Sequence, residues 1–122
     1  MIPKFRAWEH DVKYMNDQVR ITYNNFGSNK IFVEVTEGFG WKDVDEKYLM
    51  QSTGLHDVNG KEIFEGDIVQ CWYEKGFVVM RQGSWFIETD KEHLGALYEY
   101  SDEARVIGNI HEHPELLIQP KQ

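Results

Sequence analysis

Glycine interrupts this chain too often for long helices to form. Ten glycines stand at Gly27, Gly38, Gly40, Gly54, Gly60, Gly66, Gly76, Gly83, Gly95 and Gly108. The segments between them are short and rich in β-branched and aromatic residues. That pattern belongs to an all-β domain of short strands and tight turns. The densest turn signals lie in TGLHDVNGKEIFEGDIV, residues 53–69. This stretch reads as β-turn scaffolding built on Gly54, Asp57, Asn59, Gly60, Glu65, Gly66 and Asp67. Asn59-Gly60 is a strong two-residue hairpin signal, because both turn positions favour positive φ. Asp and Asn suit such places because their side chains bond the nearby backbone.

Hydrophobic alternation supplies the strands. KFRAW (4–8) and VKYM (12–15) form a small hairpin around residues 9–11. QVRITYN (18–24) and KIFVEVT (30–36) alternate with a period of two, which places Ile31, Val33 and Val35 on one buried face. The turn NFGSN (25–29) lies between them. Residues 37–48 are more polar, with Asp43, Asp45 and Glu46, and read as a loop and boundary. Strands at 67–74, 77–82 and 85–89 make a meander turning at Gly76 and at Gly83-Ser84. Thr89 and Glu92 fit a capping box, and Leu94, Leu97 and Tyr98 follow at helical spacing, so a short helix is expected over about 90–99. RVIGNIHE (105–112) reads as the last strand, closed by Pro114. The expected fold is mainly β. An SH3-type small barrel occupies 49–122, preceded by an N-terminal hairpin-and-strand extension over 1–48, with one short helix. Closing the sheet protects its edges.

The aromatic share is 14% and the hydrophobic share 41%, which argues for an ordered chain. Charge is unevenly placed. Residues 1–61 carry nine acids and eight bases, a balance of −1, whereas residues 62–122 carry twelve acids and five bases, a balance of −7. An acidic half repels a phosphate backbone, so sequence-independent binding of nucleic acid loses its driving force there. Cys71 is the single cysteine. No intramolecular disulfide can form, which suits a reducing cytoplasm. Inside IVQCWY the thiol reads as a small buried apolar group rather than a nucleophile. The N-terminus MIPKFRAWEH has no apolar signal region, and no stretch approaches a membrane span.

No constellation of reactive residues emerges. Gly54 to Gly60 has the wrong spacing for a phosphate loop, and Glu62 follows Lys61 where Ser or Thr should stand. Gly38-Phe39-Gly40 lacks the third glycine of a dinucleotide fingerprint. Asp57-Val58-Asn59-Gly60 loosely echoes a calcium loop, but Gly60 and Lys61 fall at the wrong positions. His111 and His113 would share one face of a strand, yet zinc needs at least a third protein ligand. Lys4, Arg6 and Lys13, close in sequence to Phe5, Trp8 and Tyr14, form the one basic-aromatic cluster. They offer a contact for nucleic acid or a protein partner.

The segment LMQSTGLHDVNGKEIFEGDIVQ (49–70) resembles the signature of the YopX-like family of small bacteriophage and prophage proteins. The matching elements are Thr53-Gly54-Leu55, Asp57-x-Asn59-Gly60-Lys61-Glu62-Ile63 and Glu65-Gly66-Asp67-Ile68-Val69. IPKFRAW (2–8) and VIGNIHEHPELL (106–117) resemble the family's opening and closing segments. The resemblance implies a β-rich fold with an SH3-type barrel, a phage or prophage origin and a bacterial cytoplasmic setting. It implies no catalytic residues. His56 and His111 stand where Lys and Tyr are expected in many relatives, which weakens a histidine metal site further. The expected function is therefore non-enzymatic, without cofactor or metal: a module that binds a protein partner or itself. The alternative is a nucleic-acid-associated or DNA-mimicking protein.

Overall fold

The computed structural model describes residues 3–24, 30–89 and 93–117. It is mainly β, with curled sheets forming half-barrels. The chain divides into two compact units, Met1–Gln51 and Ser52–Gln122.

In the first unit, β1 (Phe5–Glu9) pairs with β2 (Tyr14–Asn16) and with the opening residues of β6 (Leu49–His56), both antiparallel. A three-stranded antiparallel sheet follows the order β3 (Val19–Asn24), β4 (Lys30–Glu37), β5 (Gly40–Val44). The period-two pattern does what the sequence requires. Ala7, Val33 and Val35 are buried, and Val19, Ile31, Val44 and Leu49 pack around them. The loop expected over 37–48 is corrected here: Gly38 and Phe39 make a tight turn, β5 follows, and a 3-10 turn spans Glu46–Tyr48. Asp43 and Asp45 disguised the strand, because acids are poor strand formers. Cross-strand pairing overrides that preference: Val44 lies opposite Val33, and Trp41 opposite Thr36. The turn expected at 25–29 lies outside the described residues.

In the second unit a five-stranded sheet has the order β11 (His93–Ala96), β10 (Ser84–Glu88), β9 (Glu74–Arg81), β8 (Asp67–Cys71), β12 (Arg105–Asn109). β7 (Glu62–Phe64) pairs with the later residues of β6, with a register shift between Ser52 and His56. Ile63, Val69, Val78, Ile87, Leu97 and Ala104 form the core, with Leu55, Trp85, Tyr100 and Val106 packed against it. Each fully buried Val, Ile or Leu contributes roughly 1.5–3 kcal/mol. The Arg81–Glu88 pair, whose guanidinium is solvent-screened, adds little. Burial, not ion pairing, holds this unit together.

The expected meander of three strands is present, with shifted turns. Gly76 lies inside β9, opposite Val69, rather than in a turn. A Cβ there would come within 2.5 Å of the Glu88 carbonyl oxygen and 2.7 Å of an Ile87 methyl carbon, so the close approach admits only glycine. The β9–β10 turn is Gln82-Gly83, both with positive φ, rather than Gly83-Ser84. The helix expected at 90–99 is also corrected. Residues 93–96 are strand, and only α1 (Leu97–Tyr100) is helical. Residues 90–92 of the capping box lie outside the described residues. Gly95 adopts φ +148° against the Tyr100 ring, a conformation no helix contains. Gly76→Ala should cost about 1–3 kcal/mol by overpacking, read as a lower urea midpoint at an unchanged m-value.

Candidate functional site

The glycine-rich turn motif bonds its own and neighbouring backbone. Asp57 is 6% exposed. Its Oδ1 accepts the backbone N–H groups of Asn59 at 2.9 Å and Lys61 at 2.8 Å, and its Oδ2 accepts that of Val106 at 2.9 Å. The Val58 N–H donates to the Ala104 carbonyl at 2.9 Å. The turn is thereby fastened to β12. Burial opposes ionisation of Asp57, but the bonds from Val106, Lys61 and Asn59 and the charge of Lys61 outweigh it, so its pKa falls below the usual carboxylate value. Asp67 is buried and accepts the Phe64 N–H at 2.8 Å. The Gly66 N–H donates to Val78, and the Gly66 carbonyl accepts from Ile110. Asp57 and Asp67 thus spend their carboxylates on backbone N–H groups.

The histidine pair is not on a strand. β12 ends at Asn109, whose Oδ1 accepts the N–H groups of His111 at 3.0 Å and Glu112 at 2.9 Å. That cap turns the chain, so the shared-face geometry expected of His111 and His113 does not arise. Gly108 packs against the His113 ring instead. Among the described residues, no group of three or more His, Cys, Asp and Glu side chains is placed to hold a metal ion. Cys71 is 1% exposed, and burial, reinforced by the charges of Glu103 and Glu74, pushes its thiol pKa up. It is held as a buried thiol at the end of β8, beside the β8–β9 turn.

The N-terminal basic-aromatic cluster is not assembled as expected. Trp8 is 2% exposed, so it presents no ring face for stacking, and its Nε1 donates to His10 Nδ1 at 3.3 Å. Lys4 precedes β1, whereas Lys13 sits in the turn at its far end, with φ +55°. The two are separated by the length of the strand, roughly 3.3 Å per residue. Arg6 is half-buried within that strand.

The Glu9 end of β1 instead carries an ion cluster that sequence spacing did not reveal. Lys42 Nζ lies 2.7 Å from Asp11 Oδ2, 3.0 Å from Glu9 Oε1 and 3.8 Å from Glu37 Oε2. Glu9 is buried and also accepts from Asn16 Nδ2 at 3.1 Å. The bonds to Asp11 and Glu9 push the Lys42 pKa up to about 12. A cleft of about 300 Å³ opens beside this cluster, with Trp8, Val44 and the stacked rings of His10 and Tyr48 in its wall. Lys42 is thus a locked structural cation and no proton acceptor at neutral pH. Because its folded pKa lies above the ordinary 10.5, its stabilisation is fully present below that value and is lost as pH rises through about 12. Lys42→Met strands the Glu9 charge in a buried site, and should lower Tm more than Asp11→Asn does.

The feature most suggestive of binding is the β8–β9 hairpin tip. Trp72 and Tyr73 connect Cys71 to its partner Glu74. They are 63% and 100% exposed. Trp72 adopts φ +56°, a region that costs a side-chain-bearing residue roughly 1–2 kcal/mol. The β4–β5 tip places Gly38 at positive φ instead. Trp72 meets Tyr100 edge-on, with ring centroids 6.2 Å apart.

Turn-linked antiparallel strands, two apolar cores and an exposed aromatic hairpin define a small, mainly β protein. The chain matches the family described as YopX protein over residues 4–118, and it belongs to that family. It is 33% identical to protein EF1440 from Enterococcus faecalis, whose crystal structure it matches with a TM-score of 0.64, covering 97% of this chain and 99% of that one. Protein yopX from Bacillus subtilis shares the fold, with a TM-score of 0.62 at 16% identity, covering 97% and 98% of the two chains. No curated protein matches significantly. No helix among the described residues is long and apolar enough to cross a membrane.

Proposed function

We propose that this protein is a non-enzymatic interaction module whose β8–β9 tip engages a protein, either a partner or a second copy. The observation that carries this reading is Trp72: a large apolar ring, mostly exposed, on a backbone conformation that disfavours it. Gly and Asn accept such a position at least cost, and of the side-chain-bearing residues that share it, Lys13 and Gln82 among them, Trp72 carries the large apolar ring. Strain and exposed aromatic surface together point to binding, where aromatic anchors dominate the energetics. The family resemblance adds a phage or prophage source, and the single cysteine suits a bacterial cytoplasm. Direct binding of nucleic acid is the weaker reading. The chain has a net charge of −8, and Trp8 is buried rather than available for stacking.

A photo-crosslinking residue in place of Tyr73 should capture a discrete protein or a second copy from host cells, with light scattering separating the two outcomes. The same residue in place of the equally exposed Phe39 serves as the control for surface proximity. No adduct at either site, from a monomeric protein, overturns the reading. Trp72→Asn should abolish capture while keeping folding stability within about 1 kcal/mol, because relief of positive φ offsets the lost ring contact.

A further inference from the structure

The surroundings of the Trp72 tip are asymmetric in charge. Strand alternation puts Cys71 and Gln70 on opposite faces of β8. Gln70 lies between Arg105 of β12 and Lys75 of β9, so both bases belong to its face. On the other face Glu74 stands directly across from Cys71. Glu103 lies in the turn that follows Tyr100, its backbone N–H donating to the Tyr100 carbonyl at 2.9 Å, and Tyr100 is the ring that Trp72 meets. Both carboxylates are exposed, and both lie close enough for their charge to act on the Cys71 thiol. Among the described residues neither is drawn into an ion pair.

We infer that Trp72, Tyr100, Glu74 and Glu103 form a seat for a guanidinium or ammonium side chain, so that the protein engaged at this tip presents an Arg- or Lys-rich segment. A cation over an indole face gains about 0.5–2 kcal/mol, and Trp is the best of the aromatic rings for it. Carboxylates beside the ring add attraction to the same charge and suppress acidic partners. The remaining acids of residues 62–122, where twelve acids face five bases, steer such a segment toward the unit. The inference rests on the interaction reading of the tip and goes beyond it by naming the chemistry of the partner.

The test uses the full-length protein and a capped, fluorescently labelled peptide of alternating Gly and Arg, compared with the same peptide carrying citrulline. Citrulline keeps nearly the shape of arginine while removing its charge, a carbonyl oxygen replacing one NH2 group. The arginine peptide should bind at least tenfold more tightly at low salt, and the difference should shrink as salt rises. Trp72→Leu and the double variant Glu74→Gln/Glu103→Gln should each weaken binding severalfold. Lys75→Gln/Arg105→Gln, on the opposite face, should leave it unchanged or slightly improved. Near-UV circular dichroism verifies that each variant is folded. Equal binding of the two peptides, or no saturable binding of either, overturns the cationic seat. Crosslinking at Tyr73 would then still report whether the tip binds a protein of other chemistry.

Discussion

The second unit depends on a single carboxylate. A tight turn leaves backbone N–H groups pointing inward with no strand to receive them, and each unmet donor in a buried place costs about 1–3 kcal/mol. Asp57 answers three of them at once, two within its own turn and one from β12. The glycine at position 60, at φ +80°, lets the chain curl closely enough for one side chain to reach all three. Removal of that carboxylate would open the turn and unfasten the last strand together. The lowered pKa of Asp57 has the matching sign. Its stabilisation is complete above the ordinary carboxylate value and fades as pH falls through the depressed one.

The first unit solves a different problem by different means. Its buried core is small, with Ala7, Val33 and Val35 at the centre. Beside it lies a buried acid, Glu9, that would be costly alone. Asn16 and Lys42 satisfy it from β2 and β5. Polar neutralisation there contrasts with the purely apolar centre of the second unit, where Val69, Val78, Ile87 and Leu97 are fully buried. On the outer face of the three-stranded sheet, Arg20 lies 4.3 Å from the Trp41 ring centroid and bonds Glu34 at 2.9 Å. Such solvent-side pairs refine register more than they add stability.

Much of this architecture was legible in the residue pattern. Alternation identified β3, β4 and the meander because side chains on a strand must face opposite ways; Asn59-Gly60 marked a hairpin, but the turn spans residues 57–61 and only Gly60 takes positive φ, not both residues as expected. The misreadings share a cause: local preference was overruled by contacts distant in the chain. β5 was hidden by acids that its pairing with β4 tolerates. Leu94, Leu97 and Tyr98 matched a helical period, yet Gly95 must leave room for the Tyr100 ring. The candidate site itself was not legible in the residue pattern. Trp72 and Tyr73 looked like strand residues of an apolar run. Only the pairing of Cys71 with Glu74 shows that the chain reverses there. The Lys42 cluster was equally unreadable, since its carboxylates come from positions 9, 11 and 37.

The burial of Cys71 has a practical consequence. Its strand is interior, flanked by β9 on one side and β12 on the other, and alkylating reagents attack thiolates, not shielded thiols. Modification must therefore wait until the sheet parts between its neighbours. With no second cysteine to compete, the chain carries its own clock: the rate at which a thiol reagent is consumed measures how often, and under what load, this half of the molecule comes open.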